Sequence, residues 1–280
     1  MTGLVPEPER FSDPAGARRI AAFIAALSRF PTGHLLDLGA GHGIFSLIAS
    51  DLGWRVTAVD VRDVRFPEDS RVRWVTSDVR DFDGYGDVDV VACLGLWYHL
   101  TLADHLALLR RIAPRPLILD THVAREDLRG HPVHGPRLSA IRDDDGYAGR
   151  LYFEGDLQDK PTASWGNDDS FWPTVRSLQR QLESAGYDAI ERMLPEVAAD
   201  REYVVARILD SEVRARIDEM LPRYDPLRAP TDPAPDPTPN PAPTTTTTAE
   251  PAEARPTEAR PTPWTARRVA AGVRRRLRRR

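Results

Sequence analysis

The stretch that decides the fold is His34-Leu35-Leu36-Asp37-Leu38-Gly39-Ala40-Gly41-His42-Gly43-Ile44-Phe45. It begins as a mostly apolar run, of the kind found in strands buried on both faces of a sheet. The glycines that follow let the backbone bend sharply and come close to a ligand or a neighbouring element. From Ile44 to Leu52 apolar residues return at helical spacing. Strand, glycine turn and helix open a doubly wound α/β sheet, where ligands sit at the C-terminal ends of the strands.

The glycine spacing narrows the ligand. A dinucleotide fingerprint, G-x-G-x-x-G, needs glycine at the position held by Ile44, whereas the third glycine here is Gly43. Asp37, two residues before Gly39, adds negative charge that would repel a pyrophosphate at the helix start and attract a cationic amino group. The turn therefore selects against NAD and for a zwitterionic nucleoside. A purely structural role as a strand-to-helix turn stays open for the three glycines. Asp60 and Asp78, taken singly, also read as solvated strand ends.

Working outward, a helix is expected over Asp13–Phe30, with Asp13 as its cap before Pro14. RVTAVD (Arg55–Asp60), VRWVTSD (Val72–Asp78), DVDVVACLGL (Asp87–Leu96) and PLILDTHV (Pro116–Val123) read as strands, with a helix over Leu102–Ile112. Apolar strands alternating with helices mark a parallel sheet. Ala124–Trp172 shows no clean periodicity beyond GRLYFEG, a short strand or hairpin, and is too long for an ordinary connection. It reads as a lid or substrate-binding insertion. A helix over Ser170–Ala185, two last strands (GYDAIERM and REYVVARIL) and a helix over Ser211–Leu221 close the body.

Charge divides the chain. Residues 1–224 hold 27 basic and 36 acidic residues, net −9, while residues 225–280 hold 11 arginines and 6 acidic residues, net +5; the whole is −4. Twelve of the 25 prolines fall in 226–263, so residues 225–263 read as a disordered Pro/Thr-rich linker. Residues 264–280 read as an Arg-rich amphipathic helix with Ala266, Val269, Ala270, Val273 and Leu277 on one face. Such a tail fits an anionic membrane surface first, nucleic acid second, or a solubilising terminus. The single Cys93 excludes a disulfide framework and a cysteine-built zinc site, and the histidines do not repeat at metal-ligand spacing, so no metal is expected. Lys160 is the only lysine, a weak Schiff-base candidate. No run of 18 apolar residues occurs, and MTGLVPEPERFSDP lacks a signal-peptide profile, so a cytoplasmic location is expected, with peripheral membrane attachment through the tail.

D-x-G-x-G-x-G after a first strand resembles motif I of the class I S-adenosylmethionine-dependent methyltransferases. Over Leu35–Leu209 the resemblance implies a mostly parallel seven-stranded sheet with an antiparallel final strand and an insertion after strand five. It implies S-adenosylmethionine as cofactor, held by Asp37, Gly39, Ala40, Gly41, Gly43, Asp60, Val61, Asp78, Val79, Leu94 and Gly95. Asp60 would take ribose hydroxyls and Asp78, with Val79 beside it, the adenine amine. The segment Cys93–Leu100, with Tyr98 and His99, resembles the part of the family that lines the methionine end. The aromatic-Pro-Thr helix start and this Tyr-His pair are also faintly similar to tRNA wobble-uridine carboxymethyl-transferring enzymes, though the acidic body offers no basic face for tRNA.

Transfer to a hydroxyl or amine needs a proton removed, for which histidine suits neutral pH. His122, after strand five, is the first candidate base, with Asp120 to orient it; His99 is the second, with a packing role as the alternative. His42 reads as a cofactor neighbour, and His131 and His134 as loop residues with no visible partner. Tyr98, Arg150, Tyr152, Trp165, Asn167 and Trp172 are the candidate acceptor-binding residues, the two tryptophans suiting a saccharide by stacking or else packing the insertion onto the sheet. The function expected is methylation of a small molecule, such as a saccharide, cell-envelope or secondary-metabolite precursor. A non-catalytic methyltransferase-like binding module and an RNA-modifying methyltransferase are the alternatives.

Overall fold

A computed structural model describes residues 14–127, 134–157, 160, 163–193 and 201–224. The Asp13 cap, His131 and both tail segments (225–263 and 264–280) lie outside the described residues. The chain parts into two units at Pro226/Leu227, and every described residue belongs to the first.

The elements run α1 (Pro14–Leu27), β1 (His34–Leu38), α2 (Ile44–Asp51), β2 (Arg55–Asp60), β3 (Val72–Thr76), β4 (Val90–Leu94), α3 (Leu102–Ile112), β5 (Leu117–His122), β6 (Arg142–Asp144), β7 (Tyr147–Phe153), β8 (Asp169–Pro173), α4 (Val175–Ser184), β9 (Ala189–Arg192), β10 (Arg201–Arg207) and α5 (Ser211–Tyr224). A seven-stranded sheet has the order β3-β2-β1-β4-β5-β10-β9. Its first five strands pair in parallel, and β10 runs antiparallel to both β5 and β9. The order turns outward in opposite directions from β1 and β4, which opens the crevice where such sheets bind ligands.

Alternation along the strands builds a core on each face. Leu36, Leu38, Val91, Cys93, Leu117 and Leu119 pack with Leu108, Leu109 and Ile112 of α3 and Leu178 and Leu182 of α4. Their neighbours Leu35, Val56, Ala58, Val90, Ala92 and Ile118 pack with Phe23, Ala26 and Leu27 of α1 and Phe45 and Ala49 of α2. Each such side chain taken wholly out of water contributes about 1.5–3 kcal/mol, so both helical layers are held on the sheet by burial.

The insertion after β5 is more ordered than its sequence suggested. It forms an antiparallel sheet, β6-β7-β8, in which GRLYFEG supplies the central strand. The helix expected from Ser170 starts at Val175, because Ser170–Pro173 belongs to β8. Pro173 disfavours helical backbone at Trp172, and Thr174 then caps α4 by accepting the Ser177 N–H at 3.2 Å. Gly149 of β7 is needed there: a Cβ would lie 2.3 Å from the Phe171 ring and 2.6 Å from the Trp172 carbonyl. The Phe171 N–H donates to the Leu100 carbonyl and the Trp172 indole N–H to the Tyr98 carbonyl, which seats the small sheet against the segment after β4.

Candidate functional site

Gly39, Gly41 and Gly43 all take left-handed backbone, with φ of 72°, 56° and 71°. Side chains there would also collide, with Leu96 at 2.7 Å from a Cβ at Gly39 and Trp74 at 2.4 Å from one at Gly43. The turn's N–H groups are already used. Gly39 and Ala40 donate to the Val59 carbonyl, Gly43 to the Ala40 carbonyl, and Gly41 to Asp60 Oδ2 at 2.9 Å. A pyrophosphate would find those four donors spent, in keeping with the exclusion of a dinucleotide.

Asp37 does not stand where a ligand's amino group would meet it. It is buried beneath the turn, off the cavity wall, and accepts the Ser46 hydroxyl at 2.6 Å. Burial raises its carboxyl from 3.8 to about 6, with Ser46 lowering it and nearby Asp60 raising it further. Gly43 is likewise off the wall and serves the start of α2. Both residues brace the turn from beneath.

A cavity of about 620 Å³ opens at the C-terminal ends of the strands. Gly39, Ala40, Gly41 and His42 line it with Asp60, Val61, Asp78, Val79, Leu94 and Gly95, so most of the expected cofactor residues share one wall. Asp60 Oδ1 accepts the Arg62 N–H at 2.9 Å. Asp78 accepts from the backbone and guanidinium of Arg80; burial pushes its carboxyl up, but Arg80 outweighs this and holds it below the ordinary range. Trp165 is found at this end. Arg62 lies over its ring, 5.0 Å from the centroid, Arg80 donates to its carbonyl at 2.8 Å, and Arg62 donates to the Ser164 carbonyl. Trp165 thus lines the cavity in contact with Arg62 and Arg80, the residues bonded to Asp60 and Asp78.

The other end of the cavity departs most from the sequence reading. Asp120 does not orient His122. It is fully buried, and its oxygens receive Arg201 Nε and Nη2 at 2.9 Å each and Arg19 Nε at 2.6 Å. Burial opposes its charge, but the two guanidiniums keep the carboxyl below its usual value. Arg201 Nη1 sits 2.8 Å from His122 Nε2. A guanidinium only donates, so Nε2 accepts and its lone pair is taken. His122 stacks on Trp172 (4.7 Å, 7°) and meets the edge of Tyr98 (4.4 Å, 73°). It thus belongs to an aromatic cluster on the cavity wall, with Arg201 on Nε2.

His99 holds the geometry expected of a base. Its Nδ1 lies 3.0 Å from Glu154 Oε1, and Glu154, almost fully buried, also accepts the Ser164 N–H and the Ser170 hydroxyl at 2.8 Å. A carboxylate only accepts, so Nδ1 carries a proton. Burial pushes the Glu154 carboxyl up, but His99, Ser164 and Ser170 hold it below the usual range. Both residues line the cavity. Glu154 was missed as a site residue because 55 residues separate it from His99, and only the hairpin of the insertion brings them together.

Tyr98, Tyr152 and Trp172 also line this end, Tyr152 stacking on Trp172 at 4.9 Å. His134, expected to lack a partner, packs edge-on to Trp172 at 5.3 Å. Arg150 and Asn167 are off the wall. Arg150 is buried and donates to the carbonyls of Arg125 and Ser139, and Asn167 donates to those of His99 and Asp169. Both hold the insertion together. Among the described residues no group of three or more His, Cys, Asp or Glu could hold a metal ion.

Residues 13–124, from α1 through β5, match the family model described as a methyltransferase domain. No curated protein matches the sequence. The crystal structure of the N-terminal domain of EvdMO1 with S-adenosylhomocysteine bound is 26% identical, with 70% of this chain and 82% of that one covered and a TM-score of 0.54. A structure of the same domain in the presence of S-adenosylhomocysteine and D-fucose gives 26% identity, 70% and 83% coverage and the same TM-score. The Burkholderia thailandensis 1,6-didemethyltoxoflavin N1-methyltransferase is 22% identical over 69% of this chain and 79% of its own, at a TM-score of 0.48. The methyltransferase-domain match spans the glycine turn and the strand ends that line the cavity, and the fold is the Rossmann-like one of the S-adenosylmethionine-dependent methyltransferases.

Proposed function

We propose that this protein transfers a methyl group to a hydroxyl of a small polyhydroxylated molecule, with His99 as general base and Glu154 as the residue that positions it. The observation that carries this reading is the buried Glu154 carboxylate on His99 Nδ1, in a pair that lines the cavity. Catalytic histidines held by carboxylates work in this way.

The residues on the wall fit the cofactor. Asp60 and Asp78 offer carboxylate oxygens for ribose hydroxyls and an adenine amine, and the cavity's volume suits a nucleoside together with a small acceptor. S-adenosylmethionine, when bound, supplies a methyl group on a cationic sulfur. With that methyl group taken by the acceptor oxygen, His99 in its neutral form would take the hydroxyl proton at Nε2. Glu154 then balances the imidazolium. The aromatic wall excludes water and orients the acceptor, where much of the rate of a displacement arises. Tyrosine hydroxyls and imidazoles at Tyr98, Tyr152 and His134 suit a polyol. A sugar is also named with the EvdMO1 domain, whose structure was obtained in the presence of D-fucose.

The test is a screen of sugars, sugar nucleotides, phenols and RNA for release of S-adenosylhomocysteine. On the acceptor that turns over, His99→Ala should reduce turnover by about 10²–10⁴-fold with S-adenosylhomocysteine affinity retained. Full activity in that variant would remove His99 from the chemistry, and failure of folded protein to bind S-adenosylhomocysteine would remove the methyltransferase reading.

A further inference from the structure

The cavity wall is cationic although residues 1–224 are net negative. Arg19, Arg62, Arg65, Arg80, Lys160 and Arg201 line it, against the carboxylates of Asp60, Asp78 and Glu154. Asp78 is matched by Arg80, and Glu154 is committed to His99. Next to the wall, the buried carboxylate of Asp120 is shared by Arg19 and Arg201. The two guanidiniums meet at Asp120 Oδ2 and both come close to Gly95, but their other contacts differ. Arg19 lies 5.3 Å over the Phe45 ring and donates to the Leu94 carbonyl, beside the glycine turn. Arg201 lies 5.2 Å over the Tyr98 ring and donates to His122, among the aromatic residues next to His99.

Asp120 and His122 take three of the five N–H groups of Arg201, and the Tyr98 side chain is a further partner. The side chain is only 11% exposed, so water screens its charge poorly, and the Asp120 carboxylate it faces is shared with Arg19. A charge-assisted bond to an anion completes such a site. We propose that Arg201 holds an anionic group, a carboxylate or a phosphate, carried by the methyl acceptor. The substrate class is then an acidic or phosphorylated hydroxy compound whose anion lies beside the hydroxyl presented to His99. The proposal rests on the methyltransferase reading and narrows its acceptor.

The test is calorimetry on the full chain saturated with S-adenosylhomocysteine, titrated with D-glucuronate, D-glucose 6-phosphate and D-glucose. At least one anion should bind about tenfold or more tightly than glucose. Which of the two binds distinguishes carboxylate from phosphate. Arg201→Gln should abolish the preference and leave S-adenosylhomocysteine affinity within about twofold. Because that variant strands part of the Asp120 charge, Arg201→Lys serves beside it and should keep the preference. Equal binding of anions and glucose to the wild-type protein would overturn the proposal. So would an Arg201→Gln protein that keeps the preference but loses S-adenosylhomocysteine about tenfold, which would give the guanidinium to the cofactor's own carboxylate. Without S-adenosylhomocysteine the same titration separates the two readings: an anion preference in a protein that never binds S-adenosylhomocysteine defeats the methyltransferase reading, and the reverse pattern defeats only the anion site.

Discussion

At the scale of single residues, two histidines differ by what their neighbours can accept. His99 Nδ1 faces a carboxylate, which only accepts, whereas His122 Nε2 faces a guanidinium, which only donates. Glu154→Gln replaces the anion that favours the charged imidazole, and turnover should fall by about 10²-fold or more, with S-adenosylhomocysteine binding unchanged by calorimetry. Asp60→Ala removes acceptors for the Gly41 and Arg62 N–H groups as well as for a ribose, and should weaken S-adenosylhomocysteine by about 1–3 kcal/mol in the same measurement. His105 carries a pH dependence. It is buried against Trp97, whose carbonyl lies 2.8 Å from Nε2, and burial lowers it from 6.5 to about 4. The unfolded chain takes up that proton first, so stability is full above pH 6.5 and is lost as pH falls toward 4. His105→Phe should flatten this part of the thermal-unfolding profile, while orphaning the Trp97 carbonyl at about 1–3 kcal/mol. An unchanged slope between those pH values would show that His105 does not set it.

At the scale of elements, the glycine turn and the inserted sheet do different work. Gly43 starts α2 in left-handed backbone against Trp74 and does not touch the cavity. Gly43→Ala should therefore lower stability by about 1–3 kcal/mol and leave S-adenosylhomocysteine affinity within a few fold; a selective loss of affinity would place it in the cofactor site. Arg150 ties β7 to residues 125 and 139 from a fully buried position. Arg150→Met orphans two carbonyls at about 1–3 kcal/mol each, and limited proteolysis should then cut the insertion before the main sheet. The helix boundary at Thr174 was readable from Pro173, yet the amphipathic run behind it drew the expected helix back to Ser170. β-strand character at Phe171 and Trp172 comes from pairing with β7 and from burial, and neither is local.

At the scale of the molecule, charge is unevenly placed. A body of net −9 has a cavity lined by six cationic side chains, and its sequence continues into a segment of net +5. The composition of residues 264–280 predicts attraction to anionic lipid, each basic residue near the surface adding about 1 kcal/mol. Full chain should therefore co-sediment with phosphatidylserine vesicles at low salt, and a chain ending at Arg223 should not; equal sedimentation would dismiss the tail as a membrane tether.

The sequence by itself determined the doubly wound sheet, the strand ends that carry Asp60 and Asp78, and the cofactor class. These are local matters: alternation sets which residues enter the core, and glycines at fixed offsets set the turn. Only the tertiary structure decided which histidine meets a carboxylate, that Asp37 lies beneath the turn, and that Trp165 meets Arg62 and Arg80. Those outcomes depend on partners far away in the chain, Glu154 for His99 and Arg201 for His122, brought into contact by an inserted hairpin and an antiparallel strand. A side chain's protonation and reach follow from such contacts, and residue type and spacing do not encode them.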